Sequence, residues 1–236
     1  MNAIKSLSAV RGYLGASIQE APDHDLLERQ SHPAITITRQ TGARAITISE
    51  FLIKRLQASQ DPLSPKWTLF EKDLIKEVLR QEKLPEDLAK FFPEDKRHYI
   101  DDTVEEIAGL HPPAIEINEK CHRLVKNLCK RGHVIIIGRC GNILTYTMPS
   151  VLKVRLVGSM EVRVRHIMQR CQLSEKDAAT HLKKEDYFRK RYAKENFGIT
   201  DIDNPLYYDV VLNTDYLPNV EAAAALEQLL LGKIGE

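Results

Sequence analysis

Residues 34–38 run apolar and β-branched (AITIT), the pattern of a buried strand, and from 46 to 56 the apolar positions return at helical spacing. Polar Arg39, Gln40 and Thr41 and a single glycine, Gly42, separate the two. A strand, a tight turn and a helix together aim backbone N–H groups and a helix N-terminus at an anion. Residues 58–65 then form a loop rich in Ser, Asp and Pro. From 67 to 113 no strand pattern appears. The spacing predicts a helix over 73–80 and two or three short ones over 84–110, begun by Pro85 and Pro93 and stopped by His111–Pro112–Pro113.

Alternation resumes with a predicted helix over 119–131, closed by Gly132, and a short apolar strand over 133–137 (HVIII). That strand runs straight into Gly138–Arg139–Cys140–Gly141, so Arg139 stands where ligands bind in an open α/β sheet. A strand over 151–157 follows, with Ser159 as N-cap of a helix reaching 170. Ser174 to Asp177 form a capping box, with Asp for the usual Glu or Gln, and open a helix to 194. A last strand over 208–213 and a closing helix over 218–231 complete the pattern. The fold class expected is α/β, a three-layer sandwich with a parallel sheet over 34–236. The helical block at 67–113 is inserted beside it. Residues 1–33 form an N-terminal extension whose apolar stripe (Leu7, Val10, Leu14, Ile18) is expected to pack on the domain rather than on a partner.

Composition narrows the function. With 43% hydrophobic residues in 236 there is enough for a core, and 28% charged residues with a net charge of +1 describe a balanced surface, not a nucleic-acid binder. Aromatic residues at 6% are too few for a base-stacking platform. Cys121, Cys129, Cys140 and Cys171 contain no C-x-x-C pair, so neither a zinc site nor a disulfide framework is expected, and no metal ligand set is assigned. No apolar run would span a membrane, and the N-terminus lacks the apolar core of a signal peptide; a cytoplasmic protein is expected. Between 183 and 194 lie Lys183, Lys184, Arg189, Lys190, Arg191 and Lys194, a run that a solvated helix face explains as well as an anion site does.

Six stretches, in order, resemble the cytidylate kinase-like family of P-loop proteins, relatives of the nucleoside monophosphate kinases. They are ITITRQTGARAITISEFL, LFEKDLI, VIIIGRCGNIL, EVRVRHIMQRCQLSEKDA, KKEDYFRKRYAKENFG and YYDVVLNT, and the resemblance covers Ile35 to the C-terminus. It implies a kinase using ATP and Mg²⁺ on a nucleoside monophosphate or similar small phosphorylated acceptor, with a helical lid over 174–198. Gly42, Ala43, Arg44, Ala45, Ile46 and Thr47 would hold the donor phosphates, and Arg139 the acceptor phosphate. Arg163, Lys184, Arg189 and Arg191 would close over the transferring phosphoryl group, with Asp186 orienting a lid arginine. Neither nucleic acid nor membrane is an expected partner.

The departures fall in the phosphate loop. Where the family has Ser-Gly-Gly this chain has Ala43-Arg44-Ala45, and the loop has no lysine. A β-carbon at a glycine position opposes φ > 0 and close phosphate approach, and the planar fork of Arg44 does not reproduce a compact ammonium. The alternative to a kinase is therefore a nucleotide- or anion-binding regulatory domain without catalysis.

Overall fold

The computed structural model describes residues 32–60, 64–71, 76 and 114–235. Five strands, β1 (Ala34–Arg39), β2 (Thr68–Phe70), β3 (Val134–Ile137), β4 (Val151–Val157) and β5 (Val210–Asn213), pair in parallel in the order β2-β3-β1-β4-β5. The helices are α1 (Ala45–Ala58), α2 (Ala114–Arg131), α3 (Gly141–Leu144), α4 (Met160–Cys171), α5 (Glu175–Phe197) and α6 (Asn219–Gly235), with a 3-10 turn at Pro205–Tyr207. The three-layer α/β sandwich with a parallel sheet is thus the observed fold.

Local signals act as the sequence implies. Ser159 accepts the Val162 N–H, Ser174 accepts the Asp177 N–H, and Gly132 follows α2 with φ of 78°. One expectation needs correcting: Thr68–Phe70, in the stretch that showed no strand pattern, is the edge strand β2, paired with β3. Three residues are too few to display alternation, and it is Phe70 and the preceding Trp67 that anchor the segment in the core. The expected extension at 1–31 and the helices over 77–113 lie outside the described residues.

The two faces of the sheet differ, and the difference positions the site. Register sets Ile35 beside Ile135 and Leu152, and Ile37 beside Ile137 and Val154. This face is apolar and packs against Ile48, Leu52 and Leu56 of α1 and Ala222, Ala223, Leu226 and Leu230 of α6. The Arg55 Nε–H donates to Glu227 at 2.7 Å and clips the two helices together. Each such aliphatic side chain contributes about 1.5–3 kcal/mol by leaving water. On the opposite face only the N-terminal half is apolar, where Ala34, Val134, Ile136 and Val151 meet Cys121, Val125 and Leu128 of α2. Toward the C-terminal ends that face carries Thr36, Thr38, Lys153 and Arg155, all buried.

If the apolar face carries the stability, Leu52→Ala lowers the free energy of urea unfolding by about 2–5 kcal/mol. The exposed Leu231→Ala changes it by less than about 0.5 kcal/mol in the same assay.

Candidate functional site

The turn between β1 and α1 keeps the backbone of a phosphate loop on one glycine. Gly42 has φ of 85°, and a Cβ there would lie 2.7 Å from the Arg163 carbonyl oxygen, so both conformation and space require glycine. Arg44 also takes the left-handed region, with φ of 58° and ψ of 23°, as the N-cap of α1. The expectation that a β-carbon here opposes positive φ is therefore corrected: the shape survives, held against about 1–2 kcal/mol of local strain. What holds it is the side chain. The Arg44 guanidinium leaves the turn and donates to the carbonyl oxygens of Thr214 and, at 2.7 Å, Leu217, in the β5–α6 connection. It adds no charge to the hollow it borders.

α1 starts with no side-chain cap and no acid in its first turn. The N–H groups of Ala45, Ile46 and Thr47 therefore belong to an uncapped helix N-terminus, where partial positive charge favours an anion. Backbone of this kind can receive an anion. The loop itself carries no lysine.

Two cationic side chains, from α4 and α5, approach the loop. Asp186, on α5, places its carboxylate against the loop: Oδ1 accepts the Thr41 N–H and the Thr41 hydroxyl, each at 2.8 Å. Arg163, on α4, donates Nη1–H to Asp186 Oδ2 at 2.7 Å and to the Thr41 carbonyl at 3.1 Å, while its Nε–H binds the Gly158 carbonyl. Arg189 donates to Asp186 Oδ1 at 2.8 Å and to the Thr41 hydroxyl. Both guanidinium groups are buried. Burial alone would raise the Asp186 carboxyl, but the Thr41 N–H, Arg189, the Thr41 hydroxyl and Arg163 outweigh it and hold the pKa below the ordinary value.

The remaining expected residues lie apart from this cluster. Arg139 is buried in the left-handed turn after β3, its guanidinium 5.9 Å from the centre of the Tyr192 ring. The Tyr192 hydroxyl meets His122 Nε2 at 2.9 Å. Burial, then Arg139 and Lys126, push the His122 pKa down to about 4, so that ring is neutral near pH 7. Lys184 and Arg191 lie on the outer side of α5. Lys184 sits 6.0 Å from the Phe188 ring centre, and Arg191 pairs with Glu195 at 2.7 Å along the same helix.

Beside the cluster, α5 roofs the polar face of the sheet over a small pocket. Arg189 lines it together with Thr38, Asn142, Arg155, Ile199 and Tyr208. Sequence reasoning missed Arg155 and Asn142, although the pattern V-L-K-V-R-L-V contained a signal. Two cations at alternate positions of an otherwise apolar strand mark a face that is buried but not greasy.

A parallel sheet of this order, with a glycine turn feeding the first helix and arginines from two later helices closing on that turn, defines a P-loop kinase-type α/β protein. The chain belongs to the cytidylate kinase-like family, whose profile matches residues 34–216. Kinase-type function follows at that level, without a substrate. Among solved structures, an uncharacterized protein from Eubacterium ventriosum aligns at 17% identity with a TM-score of 0.58, covering 87% of this chain and 99% of its own. Shikimate kinase from Acinetobacter baumannii in complex with shikimate aligns at 13% and 0.48, covering 86% and 94%. A gluconokinase from Sinorhizobium meliloti aligns at 15% and 0.44, covering 86% and 97%. At such identities the likeness is one of fold alone. No curated protein matches the chain. Among the described residues no helix is long and apolar enough to cross a membrane.

Asp186→Asn tests the clasp. Because the folded pKa is depressed, the carboxylate contributes its full stabilisation above the unfolded value of 3.8, and loses it as pH falls through the lower folded value. At pH 7 the variant unfolds in urea with about 1.5–3 kcal/mol less stability than the wild type. The gap narrows below pH 3.8 as the wild-type carboxyl protonates.

Proposed function

We propose that this protein is an ATP-dependent phosphotransferase acting on a nucleoside monophosphate or a similar small phosphorylated acceptor. One observation carries the reading: two buried guanidinium groups and a backbone N–H of the loop converge on a single carboxylate, that of Asp186. Donors arranged in this way also suit the oxygens of a transferring phosphoryl group, whose transfer needs positioning and charge compensation more than covalent help.

In this mechanism the loop Gly42, Ala43, Arg44, Ala45, Ile46 and Thr47 would hold the donor phosphates through those backbone N–H groups left open, the Ala43 N–H being given to the Gln40 carbonyl, and Thr47 would hold Mg²⁺. When bound, magnesium-ATP supplies the phosphoryl group to be transferred. Arg163 and Arg189 supply the positive charge that the loop lacks, and Asp186 keeps both guanidinium groups aimed at the turn. Arg139 orders the interface beneath α5 through Tyr192. Lys184 and Arg191 reach the phosphates only with a rotation of α5. A cytoplasmic setting, where ATP and reduced thiols coexist, belongs to the same proposal.

A second reading has its own support. Arg44 spends its guanidinium on two carbonyl oxygens, so no cation of the loop itself faces the phosphates. A domain that binds a nucleotide without turning it over would tolerate this.

Incubating the protein with ATP, Mg²⁺ and a panel of nucleoside monophosphates separates the two. Phosphotransfer appears as ADP, and Arg163→Ala or Arg189→Ala reduces kcat/KM by about 10²–10³-fold. Arg165→Ala, which removes an exposed cation paired with Glu161 on its own helix, stays within a few-fold. Calorimetric ATP binding with no ADP from any acceptor leaves the second reading standing and removes the first.

A further inference from the structure

The clasp on the loop is an anion complex in which the anion belongs to the chain itself. Asp186 Oδ1 accepts the Thr41 N–H, the Thr41 hydroxyl and an Arg189 Nη2–H, each at 2.8 Å, while Oδ2 accepts from Arg163 at 2.7 Å. A backbone N–H of the loop and two guanidinium groups are also the donors that suit a phosphoryl group, and such charge-assisted bonds are the strong ones.

The members of the clasp are not equally fixed. The side chains of Arg163 and Arg189 are 9% and 6% exposed, but that of Asp186 is 22% exposed. Arg163 is held besides by the Gly158 and Thr41 carbonyl oxygens, so it keeps its place without the carboxylate. Among the described residues, Asp186 bonds to Thr41, Arg163 and Arg189 and to nothing beyond the clasp. Its short side chain swings clear by rotation about its own bonds, and α5 stays on α4 through Ala178 and Leu182.

Nor does the clasp cover the whole loop. The N–H groups of Ala45, Ile46 and Thr47 lie at the start of α1, which no side chain caps. In the phosphotransferase reading these N–H groups take the inner phosphates of the donor, and the clasp donors face the phosphoryl group to be transferred.

We infer that Asp186 is an autoinhibitory contact: in the ligand-free protein its carboxylate fills the position of the transferring phosphoryl group, and a nucleoside triphosphate engages Arg163 and Arg189 only by displacing it. The inference rests on the phosphotransferase reading for the place of the donor phosphates. The same contact keeps two buried guanidinium groups compensated while the site is empty. A nucleoside diphosphate, without the third phosphate, has nothing to displace.

ATP and ADP, each with Mg²⁺, are titrated calorimetrically into the full chain, as wild type and as Asp186→Asn, whose amide keeps the shape and loses the charge. The variant binds ATP at least tenfold tighter than the wild type and ADP within threefold. Tenfold is the factor by which a competitor filling the site about nine-tenths of the time weakens binding. Asp215→Asn controls for charge alone, since Asp215 lies across Gly158 from Arg163: a Cβ on Gly158 would be 2.9 Å from Asp215 Oδ1 and 3.3 Å from Arg163 Cγ. Its ATP affinity stays within threefold of the wild type. A measurement on the wild type needs no variant to fold: saturating ATP moves the ¹³C carboxyl resonance of Asp186 toward those of exposed aspartates, and saturating ADP leaves it in place. Equal gains for ATP and ADP, unchanged or weaker ATP binding in Asp186→Asn, an equal gain in Asp215→Asn, or an Asp186 resonance unmoved by ATP overturns the inference. A chain that binds neither nucleotide loses the inference and the phosphotransferase reading together. ATP bound beside an undisturbed Asp186, with ADP formed from an acceptor, removes the inference alone. Tighter ATP binding in Asp186→Asn with no ADP formed from any acceptor keeps the inference and removes the phosphotransferase.

Discussion

The site depends on a carboxylate sitting where an anion is expected. Asp186 accepts the Thr41 N–H and holds Arg163 and Arg189 at the same point, so a turn after β1, the start of α4 and the middle of α5 are fixed by one side chain. None of these groups would stay in place alone. Two buried guanidinium groups without a counter-charge would repel each other, and a buried carboxylate without them would take up a proton. Together they make an arrangement in which each ion justifies the burial of the others. It also ties α5 to the sheet, because α5 otherwise rests chiefly on α4 through Ala178 and Leu182 against Val164 and Ile167.

That dependence explains why the sheet has two characters. The face under α1 and α6 is a conventional apolar interface. The face under α2 and α5 changes along its length. Its N-terminal half is sealed by α2, while its C-terminal half buries Thr36, Thr38, Lys153 and Arg155. Burying cations is unfavourable unless they are paired, so the fold provides Asp209 for Lys153 and Asp203 for Arg155. A parallel sheet gathers the C-terminal ends of its strands on one edge, and the polar half of this face is the half that adjoins the loop.

How much of this was legible in the chain follows from where each signal resides. β1, β3 and β4 were readable because a buried parallel strand is mostly apolar and β-branched, and the caps at Ser159 and Ser174 because capping is local chemistry. β2 was not, since its three residues owe their strand form to pairing with β3 and not to any pattern of their own. In the site, Arg163, Asp186 and Arg189 were reachable through the family's motifs, but their convergence on Thr41 joins residues more than a hundred positions apart and has no trace in local spacing. Arg155 was passed over because the strand it interrupts was so easily recognised. Arg139 stands at a strand end as expected, yet its turn carries the guanidinium toward Tyr192.

Arg44 shows how a loop can lose its glycines and keep its form. The left-handed conformation of residue 44 is a property of the turn, needed for α1 to start where it does, and glycine is merely the residue that reaches it most easily. An arginine reaches it against modest strain, and its two bonds to the Thr214 and Leu217 carbonyl oxygens are of the size that can offset that strain. The same two bonds remove its charge from the turn. Backbone shape and positive charge, which a lysine-bearing loop combines in one segment, are here divided: the turn supplies the N–H groups, and α4 and α5 supply the cations. The cations stand beside the turn only because α5 lies against the loop, so the arrangement depends on the position of that helix as much as on the loop sequence.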